Sequence, residues 1–250
     1  LVTHIVETAK RGTTYYKLGD YIMIEMKDVY KQYNNGVMAA NGFNVHIKQG
    51  EFVYVVGPSG AGKSTFIKMM YREVKPSKGD IIVNGINLAK IKTSRVPHLR
   101  RNIGVVFQDF KLLPSLTIYE NVAFALEVIE EQPKQIKKRV MDVLELVGLK
   151  HKARMLPDEL SGGEQQRVSI ARSIVNTPKL VIADEPTGNL DPETSWDIMN
   201  ILEEIANRGT TVIMATHNRE IVNTIKHRVI AIENGRIVRD EQRGDYGYEG

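Results

Sequence analysis

Short apolar runs alternate along the chain with stretches of helical spacing. The run Phe52-Val-Tyr-Val-Val56 is β-branched and aromatic, ends in a glycine loop, and predicts a buried strand. A helical pattern begins at Lys63. Ile103–Phe107, Leu180–Ala183 and Thr211–Ala215 are further buried-strand candidates. Between the last two, Pro192–Asn207 has helical spacing and stops at Gly209. From Thr117 to about Gly148 the pattern is helical. Thr117-Ile-Tyr-Glu120 is a capping box, Pro133 opens a second helix and Gly148 closes it. Strands alternating with helices predict an α/β fold with a mostly parallel sheet. The block from about Asp109 to Val175 reads as purely helical and predicts a separate lobe, with the core formed by 23–108 and 176–240. Residues 1–22 carry no clear period, and Met23 is a second plausible beginning. That segment reads as an upstream start, an expression remnant or a docking arm, and its role is left open. A single domain is expected over 23–240, followed by a tail at 241–250.

Composition narrows the class. The 250 residues are 42% hydrophobic and 26% charged, as in a globular protein and unlike a disordered one. The longest apolar stretches fall far short of the roughly 18 residues a membrane-spanning helix needs. The absence of cysteine excludes disulfides, thiolate metal sites and cysteine nucleophiles, and suits a reducing compartment. A net charge of +4, from 34 basic and 30 acidic residues, is too even to imply nucleic acid.

Two motifs carry chemistry. Gly57-Pro-Ser59-Gly60-Ala61-Gly62-Lys63-Ser64 is a complete phosphate-binding loop at a strand-to-helix junction. Its glycines let the backbone wrap an anion, and amides at the helix N-terminus point at phosphate oxygens. Lys63 is expected to reach the β- and γ-phosphates, Ser64 to ligate Mg²⁺, and Thr65 to lie near the α-phosphate. The competing reading is a tight glycine turn. Leu180-Val-Ile-Ala-Asp184-Glu185 is an apolar strand ending in two acids: Asp184 is expected to hold Mg²⁺ and Glu185 to orient or deprotonate an attacking water. Alone, it would read equally well as a strand ending in a solvated acidic turn. Together the two motifs specify a P-loop NTPase.

The interval between them specifies the class. It contains Leu160-Ser161-Gly162-Gly163-Glu164, followed by Gln165-Gln-Arg167. Here the chain resembles the ATP-binding-cassette (ABC) ATPases, whose signature is LSGGQ, with Glu164 in place of the usual Gln. Ser161 and Glu164 also form a capping box for a helix running through Val175, and the two readings are compatible. The resemblance covers about Ile24 to Asp240. It implies a RecA-like P-loop core, an antiparallel β subdomain and an inserted helical lobe. It also implies that Gln108 contacts Mg²⁺ and links core to lobe, that Gly188-Asn-Leu-Asp191 is a D-loop, and that His217 touches the γ-phosphate. Tyr33 is placed like the aromatic that stacks on adenine, although Tyr30 is near.

The branch resembled includes cell-division, lipoprotein-release and macrolide-efflux ATPases. Pro186-Thr-Gly-Asn-Leu-Asp191 carries that likeness, and Tyr71-Arg-Glu-Val74 and Val106–Pro114 look closest to the cell-division members. The resemblance implies an ATPase coupled to an integral membrane protein through a coupling helix near Gln108, at the cytoplasmic face of a membrane. It implies an ATP-dependent head-to-tail homodimer in which Ser161, Gly162 and Gly163 face the other chain's nucleotide. The alternative within the family is an exporter ATPase. A DNA- or ribosome-acting ABC protein usually carries two cassettes or a long coiled-coil insertion, and this chain has neither. Asp109-Phe-Lys-Leu-Leu-Pro-Ser-Leu116 is rich in large apolar residues for a surface loop, so it reads either as a docking surface or as packing for the lobe.

Overall fold

A computed structural model of the chain describes residues 21–247, so most of the N-terminal segment lies outside the described residues. The chain opens with an antiparallel pair, β1 (Ile22–Gln32) and β2 (Met38–Lys48), then enters β3 (Phe52–Val56), the glycine loop and α1 (Lys63–Met70). Strands β4 (Lys78–Val83) and β5 (Ile86–Asn87) and a one-turn helix α2 (Val96–Arg100) lead to β6 (Ile103–Val106). Three helices follow: α3 (Ile118–Glu127), α4 (Pro133–Leu146) and α5 (Gly162–Ile174). The chain then returns through β7 (Leu180–Asp184), α6 (Pro192–Asn207), β8 (Thr211–Ala215), α7 (Arg219–Thr224), β9 (Arg228–Glu233) and β10 (Arg236–Glu241).

These strands form two sheets. The larger has the order β10-β9-β3-β8-β7-β6, parallel throughout except for β10 at its edge. All five residues of β3 and of β8 are buried, as expected for central strands covered on both faces. The smaller sheet, β2-β1-β4-β5, is antiparallel. Helix α1 is packed between the two: Phe66, Ile67, Met69 and Met70 are fully buried, and the Phe66 ring meets Phe43 of β2 edge-on at 5.6 Å. This buried aromatic pair ties the small sheet to the helix that follows the glycine loop.

The segment 109–175 holds α3, α4 and α5 and no strand, in line with the sequence pattern. Its first part is an irregular loop rather than helix, and the strand before it ends at Val106, one residue short of Phe107. Both predicted capping boxes are formed, at Thr117–Glu120 and Ser161–Glu164. Helix α5 has two apolar faces. Val168, Ala171 and Val175 beside its end pack into the lobe with Ile118, Val122, Val140 and Leu144, whereas Ile170 and Ile174 pack against the large sheet. Positions three and four apart lie on one helix face, so one helix serves as the wall between two cores.

Candidate functional site

Strands β3, β8 and β7 are neighbours and run parallel, so the loops leaving their carboxyl ends converge. Those loops carry Lys63, His217 and the pair Asp184-Glu185. Ligand sites in open α/β sheets form at this end of the strands.

The backbone of the glycine loop is fixed by close contacts. Gly57 has φ 146° and Gly62 φ 112°, both outside the range of ordinary side-chain-bearing residues. A Cβ on Gly57 would lie 2.1 Å from the Ile232 carbonyl oxygen, and one on Gly62 2.4 Å from that of Ala39. The loop is pinned from outside as well, by a hydrogen bond from the Gly235 amide to the Ala61 carbonyl at 3.0 Å. Gly60 is in open space, and Ser59 and Ser64 are exposed. Lys63 Nζ donates to the carbonyls of Gly57 at 2.7 Å and Pro58 at 3.2 Å, which holds the ammonium across the loop.

Tyr33 reaches this loop. Its hydroxyl is 3.1 Å from Thr65 Oγ1, and its ring is partly exposed beneath Lys31 Nζ. Tyr30 instead stays within the small sheet, opposite Asn41 and Lys78, with Lys78 Nζ over its ring. Of the two tyrosines, Tyr33 is the one joined to the phosphate loop.

Asp184 ends β7, and burial together with the neighbouring Glu185 charge pushes its carboxyl up from the ordinary aspartate range. Ser64, Asp184 and Gln108 each carry a side-chain oxygen, so by chemistry the three expected ligands are an oxygen donor set. That set fits Mg²⁺, which takes one or two carboxylates and keeps several waters. Glu185 adopts a left-handed backbone, φ 50°, with its amide bonded to the Ala215 carbonyl at 3.0 Å. This turn brings its Oε2 to 2.7 Å from His217 Nδ1 and 3.2 Å from the His217 amide. Glu185 and His217, 32 positions apart, are therefore one hydrogen-bonded unit.

Gln108 and the D-loop are joined by Asn189, which the sequence did not single out. Gln108 Nε2 donates to Asn189 Oδ1 at 3.2 Å, and Asn189 Nδ2 donates to the Gln108 carbonyl at 3.4 Å. Asp191 is the N-cap of α6 and accepts from the Thr194 amide and hydroxyl, which hold its carboxyl below the usual range. In the signature, Ser161 Oγ accepts from the Glu164 amide, and Glu164 Oε2 accepts from the Ser161 amide. Gly162 has room for a Cβ at ordinary distance, whereas a Cβ on Gly163 would strike Thr194 Cγ2 at 2.2 Å. Buried Gln166 donates to the Pro186 carbonyl, linking α5 to the segment just after Glu185.

The apolar segment after Gln108 divides three ways. Leu112 packs on the lobe core, and the Phe110 ring lies beside Gly162, 3.8 Å from a Cβ built there. Leu113 lines a groove of about 700 Å³ between core and lobe, together with Phe107, Phe124, Val128, Arg101 and Arg172. Leu112 thus packs the lobe, Leu113 lines the groove, and Phe110 does neither. Arg172, on α5, donates to the carbonyls of Lys111 at 2.7 Å and Phe110 at 2.9 Å. Those two residues have positive φ, so the arginine holds the turn after Gln108 in a conformation that costs energy by itself.

The family described as ABC transporter matches residues 40–188. The chain is 75% identical over 225 residues to the cell division ATP-binding protein FtsE of Bacillus subtilis, covering 90% of this chain and 99% of that protein. It is 54% identical over 229 residues to FtsE of Mycobacterium tuberculosis, covering 91% and 100%. A solved dimeric ATP-binding cassette in a post-hydrolysis state, bound to ADP and Pi, superposes with a TM-score of 0.80 at 35% identity, over 89% of this chain and 99% of that one.

The raised carboxyl of Asp184 gives a stability signature. Its folded pKa lies above the unfolded value, so stability falls as pH rises through the unfolded value, near about pH 4, and the penalty persists above the folded one. In the nucleotide-free chain, Asp184→Asn is expected to raise Tm at pH 7.5 by roughly 1–4 °C. The gain should shrink in thermal melts toward pH 4. A lower Tm at pH 7.5 would contradict the penalty assigned to burial and the Glu185 charge.

Proposed function

The chain belongs to the ABC transporter family, and from that premise we propose that it is the ATP-hydrolysing subunit of a cell-division assembly, acting with an FtsX-like integral membrane protein. The observation that carries the catalytic reading is the convergence of Lys63, Asp184-Glu185 and His217 at the ends of three adjacent parallel strands. In this reading the amides from Gly57 through Thr65, with Ser59, Gly60, Ala61 and Gly62 between, wrap the phosphates, and Tyr33 stacks on the adenine. The Tyr33–Thr65 contact supports that role. Ser64, Asp184 and Gln108 would hold Mg²⁺, which would supply positive charge to offset that of the phosphates. Glu185 takes the proton of the attacking water, and His217 orients the carboxylate through the 2.7 Å contact.

The signature turn belongs to the opposite half of the site. Among the described residues, no hydrogen bond joins 161–164 to the glycine loop, and the turn's bonds run within its own lobe. A second copy would bring Ser161, Gly162 and Gly163 to the γ-phosphate, with Asp191 placing the D-loop by capping α6. The dimeric solved relative supports this arrangement.

No helix among the described residues is long and apolar enough to cross a membrane, so action at a membrane requires docking. The groove beside Gln108 suits a coupling helix. Phe124 and Val128 leave 45% and 51% of their surface exposed on its wall, and the strained turn at its edge is one residue from Gln108's neighbour Asp109. A peripheral position on the cytoplasmic face follows from this reading. The exporter alternative uses the same groove with a different partner.

Three outcomes test these roles. Glu185→Gln should bind ATP normally and lose at least about 100-fold in steady-state turnover, whereas Lys63→Ala should weaken binding and turnover together; unchanged hydrolysis in Glu185→Gln would remove it as the base. Light scattering of the Glu185→Gln chain should report a dimer with Mg·ATP and a monomer without it. A double substitution Phe124→Ser and Val128→Ser should leave folding and basal hydrolysis intact and abolish recruitment to native membranes. Retained recruitment would move the docking surface elsewhere.

A further inference from the structure

The signature of this chain carries a carboxylate, Glu164, a common variant at a position where the family usually has a neutral glutamine, and the fold answers it. Glu164 lies in the first turn of α5, in the same turn as Ser161 and Gly163. One of its oxygens closes the capping box on the Ser161 amide at 3.0 Å. The other accepts from Lys152 Nζ at 2.5 Å. Lys152 comes from a separate turn, twelve residues earlier, just after α4. Both side chains are largely shielded, with 25% and 17% of their surface exposed, so the pair is screened less than a surface ion pair. The ammonium also holds the Glu164 carboxyl below the usual glutamate range, so the carboxyl is charged at neutral pH.

A helix N-terminus attracts anions through its amides and its dipole. A carboxylate in the first turn competes for that same positive end and repels any phosphate approaching it. We propose that Lys152 is a positioning residue that neutralises Glu164, leaving the Ser161–Gly163 turn able to accept the γ-phosphate presented by a second copy of the chain. The proposal rests on the head-to-tail dimer described above. Where the family has glutamine, the capping box needs no such counter-charge; here the lysine and the glutamate act as a matched pair.

The full chain carrying Glu185→Gln, titrated with Mg·ATP and followed by light scattering, separates the possibilities. Lys152→Met is expected to raise the ATP concentration for half-maximal association about tenfold, the effect of one uncompensated like charge near the docking anion. Lys152→Arg, which keeps the charge, should stay within about threefold of the parent. Adding Glu164→Gln to Lys152→Met should return association to within about twofold of the parent, because the charge that needed neutralising is gone. That rescue is the reading a purely structural lysine would not produce. Unaltered association in Lys152→Met, or a defect that persists in the double variant, overturns the proposal and leaves the dimer standing. Absence of ATP-dependent association in the parent overturns the dimer, and this role for Lys152 with it.

Discussion

The glycine loop sits where two sheets meet, and its backbone is tightly confined at both ends, at Gly57 and Gly62. Gly57 faces the carbonyl of Ile232 on β9, Gly62 faces that of Ala39 on β2, and the Ala61 carbonyl takes a hydrogen bond from Gly235 in the β9–β10 turn. The first two approaches leave less room than a methyl group needs. The loop that would cradle phosphate is therefore shaped by strands from both sheets. The small sheet is a structural wall of the site as well as a platform for Tyr33. Packing of α1 between the sheets, through Phe66 and its neighbours, holds that junction closed.

From this junction, geometry passes outward through a few long-range bonds. Glu185 and His217 are joined across two strand ends, Gln108 and Asn189 across the path to the lobe, and Gln166 reaches from α5 to Pro186. Arg172, on the same helix as the signature, grips the carbonyls of the turn that follows Gln108. Helix α5 thus touches the signature turn at its N-terminus, the segment after β7 in its middle and the groove between core and lobe near its C-terminus. A rigid element with three such contacts is a physical candidate for carrying a change at one of them to the others.

Much of the core was legible because its signals are local. The buried runs at β3, β7 and β8, the helix starts at Lys63 and Pro192 and both capping boxes are readable from neighbours in sequence. The small sheet was expected only from the family resemblance, because β1 and β2 break the alternation that marks a strand. Their pairing shifts register between Met26 and Val29 and again at Val29/Tyr30, and Asn41-Gly42, a dipeptide that favours turns, lies inside β2 with Gly42 at φ 76°. In the site, the glycine loop and Asp184-Glu185 were read as motifs, and Gln108, Asp191, His217 and Tyr33 came from the family resemblance, whereas Asn189, Arg172 and Lys152 were not singled out. Their partners lie 81, 62 and 12 positions away, and no local pattern records such contacts.

Glu185 sits in left-handed backbone that glycine would adopt freely, and a residue with a side chain there gives up about 1 kcal/mol. Under selection for stability alone, position 185 would drift toward glycine, since that change relieves the backbone and removes the charge that crowds Asp184. The carboxylate that stands there works against stability on both counts. Lineages of this fold that cease to need turnover should shed this side chain early, and become more robust proteins by doing so.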